Sequence, residues 1–170
     1  MIAHATKRAI NERLEQDPAF YEKFSKMIQQ AIDDYRAKRL TDLEYLRRVT
    51  EIKEAVVSRK GDDLPPVLSG DPDAAAVYGL LRPLVAGHLD DAERATTATA
   101  EAARAIWDIF GRNRKVGYWD DLDAQRQTMN EIDDYLYDEV KGTRGIALST
   151  KEMDEIIEKT MQLARHRMAE

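Results

Sequence analysis

The 170-residue chain contains no cysteine, which excludes a disulfide framework, a thiolate nucleophile and any Cys-ligated zinc or iron–sulfur centre. Glycine (8 residues) and proline (5 residues) are scarce, and what remains is long stretches of Ala, Leu, Glu, Lys, Arg and Gln, a helix-forming composition. No apolar run approaches the ~20 residues that span a bilayer. The first 14 residues carry Lys7, Arg8, Glu12 and Arg13, the wrong pattern for a secretory signal. The 3 histidines, His4, His88 and His166, are dispersed, and none has a glutamate three residues before it, so the Glu-x-x-His pairs of a bundle metal centre are missing. There is no Gly-x-x-x-x-Gly-Lys-Ser/Thr loop and no Gly-x-Ser-x-Gly elbow. These absences lead to the expectation of a cytoplasmic, membrane-free chain with no catalytic, cofactor-binding or metal site of its own.

What is present is a globular balance of 43% apolar and 34% charged residues with a net charge of −6. A chain of this length is expected to form one domain, 1–170, burying close to 70% of its unfolded surface. The charge is unevenly spread. Residues 1–60 hold 13 Lys+Arg and 10 Asp+Glu, residues 61–110 hold 3 and 9, and residues 111–170 hold 10 and 13. No basic stripe of the kind that coats a phosphate backbone is implied.

Periodicity sets the fold class. After Asp17-Pro18, a cap followed by proline in the first turn, Phe20, Phe24, Met27, Ile28, Ala31 and Tyr35 mark one face of a helix. Thr41 and Glu44 form a capping box ahead of a second stripe, Leu46, Val49, Ile52 and Val56. Gly61 and the Asp62 to Pro66 run stop it, and residues 61–71 read as an internal loop. Asp71-Pro72 opens a shorter helix, broken near Pro83 and Gly87. Asp90 and Asp91 cap a long one through Phe110, with Ala95, Ala102, Ala105, Ile106, Ile109 and Phe110 inward and Gly111 closing it. A further helix from Trp119 to Val140 turns Leu122, Met129, Ile132, Leu136 and Val140 to one side. Ser149-x-x-Glu152 announces the last, with Met153, Ile156, Ile157, Thr160, Ala164 and Met168. The spacing predicts an all-α, single-domain bundle of six or seven helices, with no strand of period 2.

Four strings invite chemistry. Glu51-Ile52-Lys53 and Glu139-Val140-Lys141 match the tail of a metal-dependent nuclease pattern, but positions two apart diverge on a helix and cannot act on one phosphate. Asp120, Asp121 and Asp123 suggest a calcium loop; counted from Asp121, the sixth position is Arg126 and the twelfth Ile132, so a charge-favoured helix start is the better account. Arg112-Asn113-Arg114-Lys115 is the densest basic cluster, set in a turn beside Tyr118 and Trp119. Arg112, Arg114 and Lys115 are therefore the candidate contacts to a partner protein or to duplex DNA. Tyr118 and Trp119 read as a core anchor, and Tyr135 and Tyr137 point to different faces, partly buried beside Leu136.

The run DPAFYEKFSKMIQQAIDDYRAKRLTDLEYLRRV (17–49), then GYWDDLDAQRQTMNEIDDYLYDEV (117–140), then STKEMDEIIEKTMQLARHRM (149–168) resemble, in this order and spacing, the extreme C-terminal domain of the R subunit of type I restriction enzymes. The resemblance implies an all-helical piece of a large cytoplasmic subunit whose other domains carry the ATP- and Mg-dependent motor and the nuclease. It implies that this piece is non-catalytic and joins the motor to the methyltransferase core of modification and specificity subunits. It also implies contact with other domains of the R subunit, and that the chain is a C-terminal fragment beginning at an internal point. The alternative expectation is a helical DNA-contacting element that guides duplex during translocation.

Overall fold

A computed structural model describes residues 2–58 and 64–168. Seven α-helices account for most of them, and no strand occurs among the described residues. The helices are α1 (Ile2–Arg13), α2 (Pro18–Arg36), α3 (Asp42–Ser58), α4 (Pro72–Ala86), α5 (Ala92–Asn113), α6 (Leu122–Tyr135) and α7 (Thr150–Arg167). The all-α class and the helix number are as the periodicity implies. The helices gather into two compact units, Met1–Asp63 and Leu64–Glu170, each with its own core.

In the first unit α1, α2 and α3 pack pairwise around Ile10, Phe20, Phe24, Ile28, Val49 and Ile52. The Asp17 carboxylate accepts the Phe20 N–H, and Pro18 occupies the first turn, where its missing N–H costs nothing. Phe20 then meets Tyr21 and Phe24 edge-on at centroid distances of 4.9 and 5.1 Å, the arrangement that ring quadrupoles prefer. Helix α1 falls on a stretch read only for its charges. Its buried face is Ala3, Thr6 and Ile10, too short an apolar series to stand out among Lys7, Arg8, Glu12 and Arg13. The Thr41 and Glu44 capping box forms as expected, with Thr41 N–H donating to Glu44 at 2.8 Å and Glu44 N–H to Thr41 Oγ1 at 3.2 Å. Between α2 and α3, Lys38 adopts φ 58°, a left-handed position usually left to glycine, and Arg39 N–H reaches back to the Asp34 carbonyl at 2.8 Å.

Three expected core residues of this unit lie at the surface: Met27 is 48%, Tyr35 38% and Leu46 48% exposed. Tyr21 and Ile32 are buried in α2 instead. A three-helix unit has room for a narrow stripe only, and α1 covers the flank of α2 that carries Tyr21.

The second unit is built on α4 against α5, the most extensive helix pair, with α7 packing on α4 and α6, and α5 on α6. Ala74, Ala76, Ala98, Ala102 and Ala103 are all buried, and such small side chains let two helix backbones approach closely. Asp71, Asp91, Asp121 and Ser149 cap α4, α5, α6 and α7 in turn. Helix α4 runs through Pro83 to Ala86 instead of breaking there; Pro83 is exposed in the last turn, while Leu81 and Val85 on either side are buried. Helix α5 likewise passes Gly111. It ends where Asn113 donates to the Ile109 carbonyl and Arg114 N–H to Phe110, and Gly117 at φ 72° makes the turn. The expected helix to Val140 changes character at Leu136, where a π-helical segment, Leu136–Thr143, begins. Its wider turns are closed by Arg144 N–H to the Glu139 carbonyl at 2.9 Å. Leu122 is 69% exposed, whereas Ile132, Leu136 and Val140 are buried. Of the loop expected at 61–71, residues 61–63, with Gly61, lie outside the described residues, and Pro66–Leu68 forms a 3-10 turn whose Leu68 enters the core. No helix among the described residues is long and apolar enough to cross a membrane.

Truncating Phe24 or Ile132 to alanine is expected to cost about 3–5 and about 2–5 kcal/mol of unfolding free energy. Leu122→Ala should stay within about 0.5 kcal/mol, and urea melts of the three variants check the contrast. Thr160 Oγ1 is buried without a hydrogen-bond partner among the described residues. Thr160→Val, which keeps the shape and removes the orphan hydroxyl, should therefore raise stability by about 1 kcal/mol; a lowered melting temperature would refute this.

Candidate functional site

The basic turn between α5 and α6 is the site that the sequence singles out. Arg112, Arg114 and Lys115 are all exposed, but two of them are already engaged. Arg112 donates to Glu131 on α6 at 3.2 Å, and Lys115 lies 2.5 Å from Asp121, the α6 cap. The carboxyl of Asp121 is held below the ordinary range, first by Lys115 and then by the Ala124 N–H. Glu131 is also lowered, first by a hydrogen bond from Gln127 and with smaller help from Asn113 and Arg112. Alongside Arg112 runs a groove between α5 and α6 edged by Asp108, Glu131 and Asp134. The turn is thus a neutralised corner that leaves Arg114 projecting, and phosphates approaching Arg112 would meet three carboxylates.

The aromatic pair beside it is structural. Tyr118 is buried, donates to Thr128 Oγ1 at 2.7 Å and meets Trp119 edge-on at 4.8 Å; burial pushes its hydroxyl pKa up. Arg165 lies over Trp119 at 5.8 Å. Neither ring is offered to a nucleic-acid base. Tyr135 is half-buried against the core while Tyr137 is 60% exposed, the divergence that a two-residue separation dictates.

The chemical decoys resolve as helix features. Glu51 and Lys53 are exposed on α3 and Glu139 and Lys141 on the π-helical segment. Asp121 serves as a cap, with Ala124 N–H at 2.9 Å. No group of three or more His, Asp or Glu side chains able to hold a metal occurs among the described residues.

Sequence reading did not anticipate the pair His88 and Glu152. His88 Nε2 lies 2.9 Å from both carboxylate oxygens of Glu152. Glu152 also accepts the Ser149 N–H at 2.7 Å, while Ser149 Oγ accepts the Glu152 N–H at 3.1 Å. These are the residue types of a hydrolytic triad, but in a triad the imidazole bridges hydroxyl and carboxylate. Here both short contacts run from one nitrogen to the carboxylate, and the serine oxygen serves the helix start. The cluster ties the residue after the α4 C-cap, Gly87, to the first turn of α7. The capping box was legible; its reach to a histidine 64 positions away was not.

Glu152 is held below its ordinary value of 4.5, first by the Ser149 N–H and then by His88. A carboxyl lowered in the folded state binds fewer protons than in the unfolded chain, so its contribution is present above 4.5 and fades as pH falls through the folded value. Glu152→Gln should therefore be less stable than the native chain at neutral pH, and urea midpoints of the two should converge toward pH 3. A gap that persists unchanged at pH 3 would show that the charge plays no part. Comparison of the chain with protein-family models, with curated protein sequences and with solved structures finds no match.

Proposed function

We propose that this chain is a non-catalytic helical assembly domain of a type I restriction R subunit, docking the ATP-dependent translocating motor and endonuclease onto the modification and specificity subunits. The ordered resemblance over 17–49, 117–140 and 149–168 supports this reading. Each run also contains complete helix starts: Asp17 and Thr41, then Asp121, then Ser149.

The observation that carries the choice of protein over DNA as partner is the neutralisation of the basic turn by Asp121 and Glu131. Residues 64–170, which contain it, hold 13 Lys+Arg and 20 Asp+Glu, a surface that repels a phosphate backbone and suits a partner with basic patches. The other reading, a DNA guide, needs cations converging on one face, and among the described residues only Arg114 of the three candidates is without an ion pair.

Immobilised chain should retain the assembled methyltransferase in the absence of DNA; retention that requires duplex would favour the DNA guide. Replacing Arg112, Arg114 and Lys115 together should change the slope of log affinity for duplex DNA against log salt by no more than about 0.9, the value of one phosphate contact. The same variant, more acidic than the native chain, should associate with the methyltransferase no more slowly than the native chain does. A steep DNA slope lost in the variant would overturn the proposal.

A further inference from the structure

Helix α3 carries two seams. One, Tyr45, Val49, Ile52 and Val56, faces the core of its unit. The other is Leu43, Leu46, Thr50, Lys53 and Val57, at spacings of 3, 4, 3 and 4, the repeat of a helix that packs on another helix. At 3.6 residues per turn these five positions share a stripe about 80° wide. Leu43 is 67%, Leu46 48% and Val57 77% exposed, so each end of the seam presents aliphatic surface while Thr50 and Lys53 occupy its middle.

The two ends of the seam differ in shape. Leu43 and Leu46 project near the start of α3. Near its end lies a groove of about 680 Å³ between α1 and α3, whose floor and walls include Ile2, Ala9, Val56 and Val57 and whose lining also carries Arg13 and Lys53. One end is a knob and the other a hole, which is the condition for a self-complementary contact across a two-fold axis. The charges on the outer flank agree. Arg47 and Glu54 lie one heptad apart beside the seam; Arg47 acts on Glu44 of its own helix through space, and neither Arg47 nor Glu54 makes a salt bridge across to another helix among the described residues. An antiparallel partner brings Arg47 of each helix to Glu54 of the other.

We propose that this face of α3 is a self-association surface: two copies of the chain pack their α3 helices antiparallel about an axis passing between Thr50 and Lys53, each offering Leu43 and Leu46 to the α1–α3 groove of the other. In that register Leu46 meets Val57 of the second copy, and Thr50 meets Lys53. The aliphatic stem of Lys53 packs in the seam while its ammonium reaches solvent, and this polar pair sets the register. A contact made by one helix and a groove buries less than the roughly 1,200 Å² of a standard interface, so the dimer is a weak one. The inference stands independently of the docking role proposed above.

The test is sedimentation velocity of the full chain at concentrations up to about 500 µM, where a weak dimer of this size is populated. Leu46→Asp, a change at an exposed position, should raise the dimer dissociation constant at least about tenfold with helicity unchanged. Arg47→Glu and Glu54→Arg should each weaken the dimer, and the double variant should regain it. Register is read by cysteine, of which the chain has none. A mixture of Leu46→Cys and Val57→Cys chains should form a mixed disulfide on oxidation while neither variant couples to itself. Within one helix these positions are about 16 Å apart, and like residues on opposed helices are separated by a similar distance, beyond the ~7 Å a disulfide spans. A native chain that stays monomeric throughout, a dimer indifferent to Leu46→Asp, no rescue by the charge exchange, or self-coupling of Leu46→Cys would each overturn the proposal.

Discussion

Six of the seven helices begin on a side-chain oxygen: Asp17, Thr41, Asp71, Asp91, Asp121 and Ser149 each accept a backbone N–H from the first turn that follows. A helix leaves its first four N–H groups without partners, and in a chain with few glycines and prolines these caps decide where one helix stops being extended backward into the last. The cap positions fix the lengths of the helices, and through them which residues can reach the interior. Two of the caps do more. Asp121 also holds Lys115, and Glu152, the reciprocal partner of Ser149, also meets His88, so helix starts are the points at which distant segments of the second unit are joined.

Electrostatics follows from the same economy. Asp34 accepts from Gln30 and pairs with Arg39 and Arg48, Arg144 pairs with Glu101, and Arg167 donates to Asp73 at 2.7 Å. Among the described residues Arg48, Arg112, Arg144 and Arg167 each pair with a carboxylate of another helix. At exposed positions each such pair contributes little to stability. Their effect is on recognition, because a cation already neutralised neither releases counterions from DNA nor steers an acidic partner. The basic turn, dense in sequence, is for this reason modest as a surface feature.

The buried faces of α5 and α7 could be read directly from the chain, since Ala95, Ala102, Ile106, Ile109 and Phe110, and Met153, Ile156, Thr160 and Ala164, are buried as their spacing requires. The capping boxes at Thr41 and Ser149 were equally legible. Helix α1 was not, because its three buried residues include a threonine and an alanine, and periodicity of so small an amplitude is invisible among charges. The exposure of Leu46 and Leu122 was unreadable for another reason. Each lies at the correct spacing to continue a stripe, and spacing cannot tell where the neighbouring helix ends.

The sequence by itself determined the helical class, the helix starts and the central residues of most stripes, because capping and amphipathic periodicity are local: each depends on residues within one or two turns. Only the tertiary structure decided that the apolar faces close into two cores, that Arg112 and Lys115 are neutralised, that His88 reaches Glu152, and that α3 keeps a second seam bare. Each of these is a meeting between residues many positions apart, governed by how helices cross and how far they extend, and a linear pattern carries no term for that distance.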